Sequence, residues 1–122
     1  MILFINEDSS RTESIQHILA PLGQEVLQAE DINHIPLDEG SPSIDLVLIS
    51  IDAQNIDPLF VIEKIRNREM FSRTPILVVT ALSSPLYFID TFEKGASDYF
   101  VLGVDDTALL GKALKLLDKR DH

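Results

Sequence analysis

Several apolar runs in this 122-residue chain end in side chains able to bind a cation or attack an electrophile. Asn6-Glu7-Asp8 follows the run Ile2 to Ile5, Ser50 closes Ile44-Asp45-Leu46-Val47-Leu48-Ile49, Thr80 closes Pro75 to Val79, and Tyr99 lies within Asp98 to Leu102. Runs of this kind read as buried parallel strands, and open α/β sheets carry their chemistry at the carboxyl ends of such strands. Glu7, Asp8 and Asp52 are oxygen ligands of the type a magnesium ion takes. The Ser50 hydroxyl is a nucleophile only beside a base. No histidine is near it in sequence: His17 is mid-helix, His34 sits in a proline-containing stretch and His122 is the last residue, and each reads as a surface residue. Asp52, two residues beyond Ser50, would share its side if the strand ran on, as an alternative acceptor or metal ligand. Asp57 is better explained as the N-cap of the helix that Pro58 opens.

The elements that must position these residues alternate strictly. After Ile2–Ile5, Ser10 and Glu13 have the spacing of a capping box, Ile15, Ile18, Leu19 and Leu22 recur at helical spacing, and Pro21-Leu22-Gly23 supplies a stop. Glu25 to Ala29 is a short strand near an edge. Between Glu30 and Ser43, Pro36, Gly40 and Pro42 leave room only for a short or broken helix. Ile44–Ser50 is the third strand, and the helix from Asp57-Pro58 carries Leu59, Ile62 and Ile65 inward. Pro75–Thr80 is a β-branched fourth strand. A helix from Ser84-Pro85 stops at Gly95, Asp98–Leu102 is the fifth strand, and Asp105-Asp106 opens a last helix with Leu109, Leu110, Ala113, Leu114 and Leu117 on its apolar side. Five strands alternating with helices imply an α/β fold, a parallel sheet covered on both faces.

Composition narrows the function. One domain spanning residues 1–122 is expected, large enough to bury a core without disulfide or metal. There is no cysteine, so nothing suggests a disulfide scaffold, a zinc site or a thiol nucleophile. The apolar stretches are only strand-length and the N-terminus has no basic leader, so neither a membrane span nor a signal peptide is expected, and the location expected is cytoplasmic. Ten basic residues against twenty acidic ones, a net charge of -10, argue against direct contact with nucleic acid.

Taken together, Ile2-Leu3-Phe4-Ile5 before an acidic turn, Asp45-Leu46-Val47-Leu48-Ile49, Pro75-Ile76-Leu77-Val78-Val79-Thr80-Ala81 and Gly95-Ala96-Ser97-Asp98-Tyr99, with the intervals between them, make the chain resemble a response-regulator receiver domain, CheY-like, from Ile2 to about Leu117. The resemblance implies a (βα)5 doubly wound, flavodoxin-like sheet of strand order 2-1-3-4-5. It also implies an active site that this chain departs from. The two acids that hold magnesium fall on Asn6 and Glu7, the phospho-acceptor aspartate on Ser50, the phosphoryl-pairing lysine on Leu102 and the proline after it on Gly103. An ordinary trans bond between Leu102 and Gly103 is therefore expected. Thr80 and Tyr99 match the phosphoryl-binding threonine and the aromatic residue that changes rotamer. Losing the acceptor carboxylate and the lysine together avoids an under-paired buried cation, a cost of about 3–5 kcal/mol.

The expectation is a degenerate pseudo-receiver: not an enzyme, without a cofactor beyond weak magnesium binding at the remnant acids Glu7, Asp8 and Asp52, acting through protein contacts. Its partners would be a signalling protein or a covalently linked output domain, or a second copy through the face built by the helix from Pro85, the last strand and the last helix, with no nucleic acid and no membrane. Leu86, Tyr87, Phe88 and Phe92 are more bulky side chains than one buried stripe needs, and with Tyr99 they mark that face. Two alternatives are a working phospho-receiver that uses Asp52 with Glu7 and Asp8 as metal ligands, and a flavodoxin-like enzyme or nucleotide-binding domain. The second lacks a Gly-rich loop after the first strand.

Overall fold

The computed structural model describes residues 1–6, 12–29, 44–51, 58–80, 85–101 and 107–120. Its strands are β1 (Ile2–Asn6), β2 (Val26–Ala29), β3 (Leu46–Ile51), β4 (Ile76–Thr80) and β5 (Asp98–Val101), all parallel, in the order β2-β1-β3-β4-β5. The helices are α1 (Thr12–Leu19), α2 (Pro58–Arg66), α3 (Pro85–Lys94) and α4 (Ala108–Arg120). The expected α/β class and strand order both hold. The short helix expected between Glu30 and Ser43 falls outside the described residues, as do the capping residues Ser10, Asp57, Ser84, Asp105 and Asp106.

Alternation along each strand splits the core into two layers. Leu3, Ile5, Val47, Ile49, Ile76, Val78 and Tyr99 face α2, whose Val61, Ile62 and Ile65 close that layer. Ile2, Phe4, Leu46, Leu48, Leu77, Val79 and Phe100 face α1 and α4, through Ile15, Leu19, Leu109, Ala113 and Leu116. Central strands buried on both faces must be apolar at every position, which is why β3 and β4 read as continuous runs. Each such side chain removed from water stabilises the fold by about 1.5–3 kcal/mol.

The expected stop at Pro21-Leu22-Gly23 holds: α1 ends at Leu19, Ala20–Leu22 form a 3-10 turn, and Gly23 caps it at φ 69°, its N–H donating to the Ala20 carbonyl. This is the left-handed position that glycine takes without a Cβ penalty. On α4, Leu114 is 51 % exposed rather than inside, and Leu116 takes the buried place. The inward stripe there runs Leu109, Ala113, Leu116, and Leu114 lies about 130° around the helix from its centre.

At the amino-terminal end of β4 and β5 a side chain acts as a staple. Arg66, the last residue of α2, donates from Nε to the Gly95 carbonyl at 2.9 Å, and from Nη1 to the carbonyls of Phe71 and Thr74 at 2.8 and 2.6 Å. Gly95 has φ 118°, and a Cβ there would lie 2.7 Å from Arg66 Cγ. The glycine read as a helix stop is thus also a site of close approach. At the β5 edge, Lys112 on α4 donates to Asp98 Oδ1 at 2.9 Å and to the Tyr99 carbonyl at 3.0 Å. Among the described residues no helix is long and apolar enough to cross a membrane.

Candidate functional site

The register of the sheet brings the candidate residues to one edge. Asn6 at the end of β1 pairs with Ser50, Ser50 with Val79, Ile51 with Thr80, and Thr80 with Val101. Ser50 therefore lies on a central strand at the carboxyl edge of a parallel sheet, between the ends of β1 and β4. It is 2 % exposed, and neither of its register partners, Asn6 or Val79, is charged. Alternation places Ser50 with Leu46 and Leu48 on the α1–α4 layer, and Thr80 with Ile76 and Val78 on the α2 layer.

Thr80 is buried and has a side-chain partner. Its hydroxyl is hydrogen-bonded to the Tyr99 phenol, one strand over on the same layer. Burial pushes the Tyr99 phenol up to about 12, and the Thr80 bond offsets a little of that rise. The ring is 2 % exposed. Tyr99, expected on the partner surface, is thus turned inward, because alternation in β5 sends position 99 into the layer closed by α2 while Phe100 goes to the other. Two remnant residues that looked separate in the sequence form one buried pair.

Other candidates stay apart or undescribed. Glu7, Asp8, Asp52, Leu102 and Gly103 lie outside the described residues, and with them the expected trans bond. Among the described residues no group of three or more His, Asp or Glu side chains is gathered. His17 is exposed on α1. No base stands beside Ser50 among the described residues, so nothing described activates its hydroxyl.

On the expected partner face, Phe92 is 46 % exposed. Leu86, Tyr87 and Phe88 lie in α3, but their side chains fall outside the described set. Ile89, which the sequence reading passed over, is 53 % exposed. Its signal was available: Ile89 and Phe92 stand i and i+3 on the same outward stripe, on the side of the helix away from the buried Thr91.

No family model matches the chain. A response regulator from Clostridium difficile superposes with a TM-score of 0.80 at 21% identity, covering 99% of this chain and 98% of that one. A CheY-like response-regulator receiver domain from Methanospirillum hungatei gives 0.78 at 22% identity, covering 98% and 94%. This chain has the CheY-like receiver fold. Sequence comparison points the same way for the receiver assignment. The chain is 31% identical over 112 residues to the CAI-1 autoinducer sensor kinase/phosphatase CqsS of Vibrio cholerae, 91% of this chain and 16% of that protein. It is 27% identical over 121 residues to the DNA-binding dual master transcriptional regulator RpaA of Synechocystis, 99% of this chain and 50% of that protein. The receiver-type domain thus spans half or less of the length of these relatives.

Proposed function

We propose that this receiver-type domain serves two-component signalling as a phosphorylation-independent interaction module. The observation that supports it most is Ser50: at the acceptor position stands a buried hydroxyl, paired in register with Asn6 rather than with an acid, and with no described base. The neighbouring Thr80 hydroxyl is already engaged by Tyr99. A phosphoryl group would need a nucleophile, a cation and a free donor here, and each is weakened. The domain is read as a non-enzymatic cytoplasmic module with at most weak magnesium binding. It would work on a linked output domain, a separate signalling protein or a second copy, through the α3–β5–α4 face where Ile89 and Phe92 are exposed. A sensor kinase/phosphatase and a transcriptional regulator, each longer than this chain, are both among its relatives, which fits either arrangement.

Incubation with acetyl phosphate and magnesium, followed by intact-mass measurement, tests the reading. No phosphoryl adduct is expected. Stoichiometric uptake would sink it, and its loss in Asp52→Asn would move the acceptor to Asp52.

A further inference from the structure

The outer stripe of α3 combines exposed apolar surface with exposed carboxylates. Ile89 and Phe92 are about half exposed, and Asp90 and Glu93 beside them are exposed as well. The cation of this helix, Lys94, is turned away: it reaches across to Glu63 on α2 at 3.6 Å. Among the described residues neither Asp90 nor Glu93 has an ion-pair partner. An apolar pair at i and i+3 presents the ridge into which a second helix packs. The two carboxylates flanking it then set the sign of what can approach, and the chain's net charge of -10 reinforces that sign at longer range.

We infer that the α3 stripe of Ile89, Asp90, Phe92 and Glu93 takes an amphipathic helix of a separate partner protein, apolar on one side and rich in lysine or arginine along its flanks. This presupposes that the domain works through protein contacts, and adds the chemistry of the contact. A second copy is disfavoured as occupant, because this stripe against itself would set Asp90 and Glu93 against like charges, which is destabilising. The helix-in-groove mode gives affinity through the apolar anchors and specificity through the rim.

A fluorescently labelled designed peptide tests it, with leucines at i, i+3, i+4 and i+7 and lysines elsewhere, against a twin carrying glutamates in place of the lysines. Anisotropy should show the lysine peptide binding at least about tenfold tighter than its twin, a gap of about 1.4 kcal/mol. Both Ile89→Ala with Phe92→Ala, and Asp90→Lys with Glu93→Lys, should weaken the lysine peptide by a similar factor. A control variant, Glu13→Lys with Asp118→Lys, makes the same change in net charge at exposed sites on α1 and α4 and should retain most of the binding. Equal affinity of the twins, an equal loss in the control, or indifference to Ile89 and Phe92 overturns the inference. Circular dichroism of each variant verifies that these surface changes leave the fold intact. Phosphoryl uptake is read separately: uptake would refute the phosphorylation-independent reading and leave the peptide result standing, while failure of the peptide leaves that reading untouched.

Discussion

Tyr99 and Thr80 show at single-residue scale what became of the receiver edge. The phenol is neutral in the fold with its pKa raised from 10.0 to about 12, chiefly by burial. A folded-state value above the unfolded one means that its contribution to stability is complete below pH 10 and is lost as the pH rises from there toward 12. Ultraviolet titration should therefore show a tyrosine component near 12 that Tyr99→Phe removes. That variant should be less stable at neutral pH by about 1 kcal/mol, the worth of one hydrogen bond, yet lose less than the wild type on going to alkaline pH. Urea unfolding on either side of pH 10 reads both effects. Ser50 yields the complementary case. Ser50→Asp alone places a charge at a 2 % exposed position whose register partners, Asn6 and Val79, carry none. It should cost about 3 kcal/mol at neutral pH, as an uncompensated buried charge does. Burial raises the folded-state pKa of such an aspartate, so the loss should shrink as the pH falls and the group protonates. A variant as stable as wild type at neutral pH would show that this edge still holds a partner for the charge. That Ser50, Leu102 and Asn6 differ in type from the residues the receiver resemblance implies was legible from the sequence. The Thr80–Tyr99 bond was not legible, since it depends on which face each strand position takes.

At the scale of elements, the alternation of strands and helices could be read directly, as each run was bounded by a cap, a proline or a glycine. What the pattern concealed were the contacts made by residues whose type suggests only solvent. Arg66 is by type and position a basic residue in the last turn of α2, yet it supplies donors to three backbone carbonyls from two separate segments. Arg66→Met keeps the aliphatic stem and removes those donors, and should destabilise by about 2 kcal/mol, between the cost of one and of several lost acceptors in a partly exposed site. Hydrogen exchange should quicken first in 71–76 and 95–97, the segments it joins. Gly95→Ala strikes the same junction from the other side, through a Cβ 2.7 Å from Arg66 Cγ on a backbone at φ 118°. Because that conformation is costly for any L side chain as well, the glycine change should cost at least about 1 kcal/mol. If the two changes act on one junction, the double variant should lose less than the sum of the singles. Strict additivity in urea midpoints would separate the staple from the glycine.

For the whole molecule, the two-layer architecture is over-determined by apolar patterning, so the fold can persist while its charged edge changes. That edge is where a divalent cation would stabilise the chain if Glu7, Asp8 and Asp52 still formed a site. A net charge of -10 complicates the test, because any salt relieves self-repulsion on such a surface. The two effects differ in form. Screening follows ionic strength and is nearly spent in about 150 mM NaCl, where the Debye length has fallen to roughly 8 Å. Binding instead adds a free energy that grows with the logarithm of cation concentration, so about 10 mM magnesium on a site of about 1 mM affinity contributes roughly 1.4 kcal/mol. For a domain of this size that is a rise of about 5 °C in the midpoint. Thermal unfolding in about 150 mM NaCl, with about 10 mM MgCl2 added in one arm and about 30 mM further NaCl in the other, matches the ionic strength of the two. With the acidic pair reduced to Asn6 and Glu7, the midpoints should agree to within about 1 °C. A separation near 5 °C would mean that the remnant acids still hold magnesium, and would restore the working phospho-receiver as the better account of this edge.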